Sequence, residues 1–184
     1  MSIYIRNILR YFVLVLLQVL ILNNIHLYWW TDVSSIPPFT PYIYPLILLL
    51  LPLSTPTTWM MILGFVTGLT IDIFMNTGGL HAAVCVVIGA SRNSILTALL
   101  PNRLSDYPNL SPGLKNMGWA PFLTYAAIIL FIHISLLYLL EIWSFQNIGY
   151  LLLKTLASFI TSMVFVIIYG LLFYSTSGHN TLND

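Results

Sequence analysis

Apolar runs of about twenty residues or more recur along this chain, and they constrain its fold more tightly than any other feature. Residues 8–30, 58–76, 119–143 and 148–174 are such runs. A helix of about 20 residues crosses the hydrocarbon core of a bilayer, and only helices and closed barrels satisfy their own backbone there. The chain has 184 residues, of which 59% are hydrophobic and 6% charged, against about 25% charged in an ordinary soluble domain. A single domain of this size cannot bury so much apolar surface from water. Residues 1–184 are therefore expected to form one integral membrane domain, an all-α polytopic helix bundle solvated by lipid. A net charge of +1 gives no basic field for nucleic acid. Cys85 is the single cysteine, so an intrachain disulfide and CxxC metal sites are excluded.

Arg6 and Arg10 precede the first apolar run in the manner of a signal peptide, but Asn23, Asn24 and His26 follow it in place of a small-x-small cleavage site. The run is expected to stay as a first helix, with Trp29 and Trp30 in the aromatic belt of the far interface. Residues 42–53 are strongly apolar but number only 12, with Pro45 and Pro52 inside them. This second segment either crosses with a kink or is re-entrant. A fourth span begins at Leu80 and is interrupted by Arg92, after which residues 93–100 are expected to lie along the interface. Residues 101–118 are expected to form a cytoplasmic loop and residues 175–184 a polar C-terminal tail. Six spans with both termini inside place Arg6, Arg10, Arg92, Arg103 and Lys115 in the cytoplasm and leave only Lys154 outside. The positive-inside rule therefore favours six transmembrane helices, the second short and Pro-bounded.

Gly64, Gly68 and Asp72 recur at helical spacing and share one face. Gly64-x-x-x-Gly68 is the small-xxx-small pattern that permits close helix approach, so Asp72 is expected to face another helix. A carboxylate at a helix centre in lipid costs about 2.5–3.5 kcal/mol on insertion scales, and Asp72 needs a partner. Anchoring of helix packing by hydrogen bonds to a neighbour or to the Asn76–Gly79 turn, a proton or ion relay, and the fixing of a surface read by a partner are the alternatives; the first accords best with its place near the outer helix end. Gly78 and Gly79 form a tight turn, and His81 opens the next helix at a depth that permits an Asp72–His81 hydrogen bond. His81, Cys85 and Gly89 form a second stripe, better suited to packing than to a metal, since two ligands do not make a site. His133 and Glu141 share a face of the fifth span, with His133 deeper and in need of a partner and Glu141 at the outer interface. Asp72, His81 and His133 are candidates for one polar cluster. Thr155, Ser158, Thr161 and Ser162 on the last span are expected to serve helix packing. No Ser-His-Asp order, HExxH, Walker loop or GxGxxG occurs, so no catalytic, cofactor-binding or metal residue is assigned and no enzyme is expected.

The segment PLILLLLP, followed by GFVTGLTIDIFMNTGGLHAA, resembles the core of the rod shape-determining MreD family. That family shows a Pro-bounded apolar segment, a Gly-Leu-x-x-Asp helix, a short glycine turn and a small-residue helix. Here these are Pro45 to Pro52, Gly68-Leu69-Thr70-Ile71-Asp72, Gly78-Gly79 and residues 80–83. The segment WAPFLTYAAIILFIHISLLYLLEIWSF is similar to Bacteroidota-type members. The resemblance implies a non-enzymatic component of the peptidoglycan elongation machinery in the bacterial inner membrane. It implies an MreC-like partner and, directly or through it, a penicillin-binding transpeptidase, a SEDS-type glycosyltransferase and MreB filaments. It also implies a fold like that of the substrate-binding subunits of energy-coupling-factor transporters. The helix-packing or partner-facing residues would be Gly64, Gly68, Asp72, Gly78, Gly79, His81, His133 and Glu141. A small-molecule transport subunit of vitamin-binding type, with Asp72, His81 and tryptophans lining an outward pocket, is the alternative.

Overall fold

A computed structural model describes residues 3–24, 40–100, 110–142 and 148–172. Every regular element among them is helical: α1 (Ile3–Leu16), α2 (Leu46–Leu49), α3 (Thr57–Met75), α4 (Leu80–Leu99), α5 (Leu114–Met117), α6 (Trp119–Ile142) and α7 (Ile148–Leu172). A π-turn, Leu17–Ile21, and a 3-10 turn, Leu22–Asn24, prolong α1. Among the described residues, five helices are long and apolar enough to cross a membrane: Asn7–Asn24, Thr57–Met75, Leu80–Leu99, Trp119–Glu141 and Ile148–Leu172. Trp29, Trp30, Arg103, residues 101–109 of the expected loop and the expected tail lie outside the described residues.

The burial pattern is inside-out by the standard of a water-soluble protein. Helix α7 buries Thr155, Ser158, Ser162, Val166 and Gly170 and exposes Leu152, Leu156, Ile160, Val164, Ile168 and Leu171. Helix α3 buries Gly64, Thr67, Gly68 and Asp72 and exposes Phe65, Val66, Leu69, Ile73 and Phe74. In water such faces would be reversed; in lipid, small and polar residues gather between helices because apolar side chains gain nothing by leaving the tails. The fold is therefore that of a multi-pass membrane protein.

Helices α3 and α4 run antiparallel as a hairpin. Asn76 ends α3 in the left-handed conformation (φ 55°), and Gly78 and Gly79 also have positive φ, which glycine adopts without steric cost. Helix α4 then continues unbroken from Leu80 to Leu99. The break expected at Arg92 does not occur, and residues 93–99 extend the same helix. The two ends of the bundle are conveniently named by what lies there, the hairpin end at residues 76–79 and the arginine end at Arg92.

Residues 40–53 run through the middle of the bundle. Every residue from Pro41 to Leu50 is buried. The rings of Tyr42 and Tyr44 lie 6.3 and 5.8 Å from that of His81, near the hairpin end, while the Leu51 carbonyl meets Arg92 at the other. His81 and Arg92 are eleven residues apart on α4, so the segment covers about 16 Å of the bundle's depth at 1.5 Å per helical residue. It does so partly extended and partly as the single turn α2, because Pro41, Pro45 and Pro52 prevent a longer helix.

The expected loop is not all solvated. Leu110 accepts a hydrogen bond from the Leu53 amide at 2.8 Å, Ser111, Pro112, Leu114 and Met117 are buried, and Leu114 packs on Gly170 of α7. Residues 110–117 thus close the arginine end. Leu110, Leu114 and Met117, which pack on the core, and not the mean polarity of the segment, decide the outcome.

Candidate functional site

The backbone of residues 41–53 creates the principal chemical demand within this bundle. Non-helical backbone at membrane depth is tolerated only where protein satisfies its polar groups, and an orphaned amide or carbonyl there costs about 1–3 kcal/mol. Side chains from four helices meet this demand. At the hairpin end, Gln18 acts as a clamp: its Oε1 accepts from the amides of Ile43 (2.8 Å) and Tyr44 (3.4 Å), and its Nε2 donates to the Pro41 carbonyl (3.1 Å) and to Asn23 Oδ1 (2.8 Å). Gln18 stands in the π-turn of α1 and is fully buried. Ser162 Oγ accepts from the Tyr42 amide (2.8 Å) and donates to the Ser158 carbonyl (2.6 Å). Ser158 Oγ in turn lies 2.6 Å from the Tyr138 hydroxyl.

At the arginine end the segment's carbonyls are capped by cations and a phenol. Arg92 Nη2 donates to Leu51 (2.5 Å), with longer approaches to Leu49 (3.4 Å) and Pro52 (3.5 Å). Arg10 Nη1 donates to Leu50 (3.2 Å), and the Tyr125 hydroxyl to Leu49 (3.3 Å). Arg92 is fully buried; one guanidinium with five donors suits a cluster of convergent carbonyls better than an ammonium would. Asn93 fastens the start of α3 through the Thr55 carbonyl and Thr57 Oγ1, both at 3.1 Å.

The Gly64–Gly68–Asp72 stripe closes the α3–α4 hairpin. A Cβ on Gly64 would meet the Cys85 carbonyl oxygen at 2.5 Å, and one on Gly89 the Met60 carbonyl oxygen at 2.5 Å. A Cβ on Gly68 would fall on the backbone of His81 and Ala82. These faces, together with the His81–Cys85–Gly89 stripe, are consumed within the hairpin. Asp72 performs a helix cap from the neighbouring helix. Gly79 is the N-cap of α4 and has no side chain to bond the second and third amides. Asp72 supplies the acceptors: Oδ1 takes the His81 amide (3.0 Å), His81 Nδ1 (2.9 Å) and Thr77 Oγ1 (2.5 Å), and Oδ2 takes the Ala82 amide (2.8 Å). The carboxylate also sits favourably at the positive end of the α4 dipole. The expected Asp72–His81 bond is present.

His133 joins the cluster through tyrosine. Its Nε2 lies 2.6 Å from the Tyr44 hydroxyl, and both histidines pack on the rings of Tyr42 and Tyr44. His81 Nε2 and His133 Nδ1 are buried without a hydrogen-bond partner. Glu141 stands apart: its side chain is 47% exposed and pairs with Lys154 at 3.0 Å, while Lys154 also lies over the Tyr138 ring. Among the described residues, no group of three or more His, Cys, Asp or Glu side chains converges as a metal site. Of Ser158 and Ser162, expected only to pack, Ser162 bonds the interior segment and Ser158 bonds Tyr138. Gln18, Arg10, Arg92 and Tyr125 carry its support without having been singled out as site residues.

No protein-family model matches the chain, no curated protein matches its sequence, and no solved structure matches it.

Proposed function

We propose that this chain is an MreD-like, non-enzymatic membrane component of the cell-elongation machinery, which maintains cell shape by docking an MreC-like membrane partner. The penicillin-binding transpeptidase and the SEDS-type glycosyltransferase of peptidoglycan synthesis join the same assembly, directly or through that partner. The reading rests on the order of motifs in the sequence: Pro45 to Pro52, Gly68-Leu69-Thr70-Ile71-Asp72, Gly78-Gly79 and the small-residue helix that follows. One structural observation carries it further. The conspicuous buried polar side chains Gln18, Asp72, Arg92 and Ser162 are all occupied in holding the protein's own backbone, as suits a scaffold. In this reading residues 40–53 are a second crossing, making six, with both termini in the cytoplasm of a bacterial inner membrane. The bundle then resembles the substrate-binding subunits of energy-coupling-factor transporters in fold, but not in the use of its interior.

The small-molecule transport reading needs Asp72 and His81 to line a ligand pocket. Both oxygens of Asp72 are engaged by Thr77, His81 and Ala82, and Tyr42 and Tyr44 fill the space beside His81. These contacts favour the scaffold. Depletion of the protein in its host tests the proposal: rounded cells and co-purification of an MreC-like membrane protein are the expected results. Unchanged cell shape with no such partner refutes it.

A further inference from the structure

The arginine end carries a cleft whose chemistry differs from the rest of the surface. It encloses about 170 Å³ between α1, residues 111–116, the first turn of α6 and the last turn of α7. Its floor is apolar, with Leu50 and Phe122. Its polar lining includes Arg10, Lys115, Asn116, Ser111 and Tyr169. No carboxylate pairs with either cation among the described residues.

The cleft lies at the level where headgroups meet water. Trp59, which opens α3, and Trp119, which opens α6, are both exposed at this end of the bundle, and tryptophan gathers at membrane interfaces. Exposed apolar residues of α1, Ile5, Ile8 and Leu9, flank Arg10 and face the lipid. Two cations that no carboxylate neutralises among the described residues, above an apolar floor, match a phosphate carried on acyl chains: charge-assisted bonds hold the oxygens while the floor accommodates the glycerol and upper chain.

We propose that this cleft binds the phosphate headgroup of an anionic phospholipid from the adjoining leaflet, with Arg10 and Lys115 as its cationic contacts. The inference stands on this cleft alone and is independent of the proposed role in cell elongation. The test titrates the purified full-length protein in neutral detergent with phosphatidylglycerol, phosphatidylcholine or inorganic phosphate, and counts bound ligand by native mass spectrometry. One saturable phosphatidylglycerol site is expected, with phosphatidylcholine about tenfold weaker. Lys115→Gln should weaken phosphatidylglycerol binding about fivefold, as should Arg10→Gln, and Lys115→Glu should weaken it further. Lys154→Gln, at the far end of the bundle, should leave it unchanged. Arg10 also donates to the Leu50 carbonyl, so the exposed Lys115 provides the decisive variant should Arg10→Gln fail to fold. Equal affinity for the two lipids, or full binding by Lys115→Gln, overturns the proposal. Inorganic phosphate bound as tightly as phosphatidylglycerol overturns the assignment to lipid.

Discussion

Replacing Asp72 tests whether one carboxylate fastens the α3–α4 hairpin. Asp72→Ala removes the acceptors of four donors, the amides of His81 and Ala82, His81 Nδ1 and Thr77 Oγ1. Loss of an N-cap costs about 0.5–2 kcal/mol, and loss of the charge-assisted bond from His81 Nδ1, which keeps only Thr77 Oγ1 at 2.9 Å, adds about 1.5–3 kcal/mol. Removing a desolvated charge returns part of this, so a net loss of about 3 kcal/mol is expected. Asp72→Asn keeps one oxygen for Thr77 and His81 but turns an amide nitrogen toward the Ala82 N–H, donor against donor. It should lose about 1–2 kcal/mol. Relief of the buried charge is common to both variants, so the gap between them isolates the hydrogen bonds. The assay is equilibrium unfolding in mixed detergent micelles followed by tryptophan fluorescence. The order wild type, Asn, Ala is the expected result. If both variants unfold within about 0.5 kcal/mol of wild type, the size of an ordinary surface substitution, Asp72 is not a cap and the reasoning fails.

Other perturbations separate the remaining contributions. Gly68→Ala drives a methyl group into the backbone of His81 and Ala82 and should cost about 1–3 kcal/mol or more, whereas Gly149→Ala, with open space around its Cβ, should be neutral or stabilising by up to about 1 kcal/mol; the same unfolding assay reads both. Gln18→Leu strips the Ile43 amide of its acceptor, and Ser162→Ala does the same to Tyr42. Each should cost about 1–3 kcal/mol and accelerate amide exchange at residues 42–44, while exchange within α3 changes little. The exposed Lys154–Glu141 pair should contribute no more than about 1 kcal/mol in a double-mutant cycle.

The hairpin was legible in the sequence because its causes are local. Close approach requires glycine at helical spacing, the turn requires Gly78 and Gly79, and a lone carboxylate at a helix end requires donors that an adjacent amide terminus supplies. The interior segment left weaker traces. Arg92 resembles the end of a membrane helix in sequence, since the carbonyls that it caps belong to Leu49, Leu51 and Pro52, some forty residues away. Gln18 is a single polar residue in the apolar run from Phe12 to Leu22, and nothing adjacent to it discloses that the Ile43 amide lies within reach. Ser158 and Ser162 fit a packing motif equally well. One signal was available: Pro41, Pro45 and Pro52 frame a segment too short for a spanning helix. If such a segment lies at membrane depth, its unpaired backbone must draw on the polar side chains buried in the other helices. In residues 110–117, similarly, polarity averaged over the segment conceals the few buried residues that seal the bundle.

The central claim is that residues 40–53 pass through the bundle from one end to the other. Site-directed labelling with a membrane-impermeant thiol reagent tests it directly, in a Cys85→Ser background that removes the native thiol. Single cysteines replace exposed residues: Asn24 at the end of α1, Thr58 at the start of α3 and Asn76 in the hairpin turn. The account predicts that Asn24→Cys and Asn76→Cys react from one side of the membrane and Thr58→Cys from the other only. Reaction of Asn24→Cys and Thr58→Cys from the same side would contradict it, because the segment between them would then enter and leave by a single face.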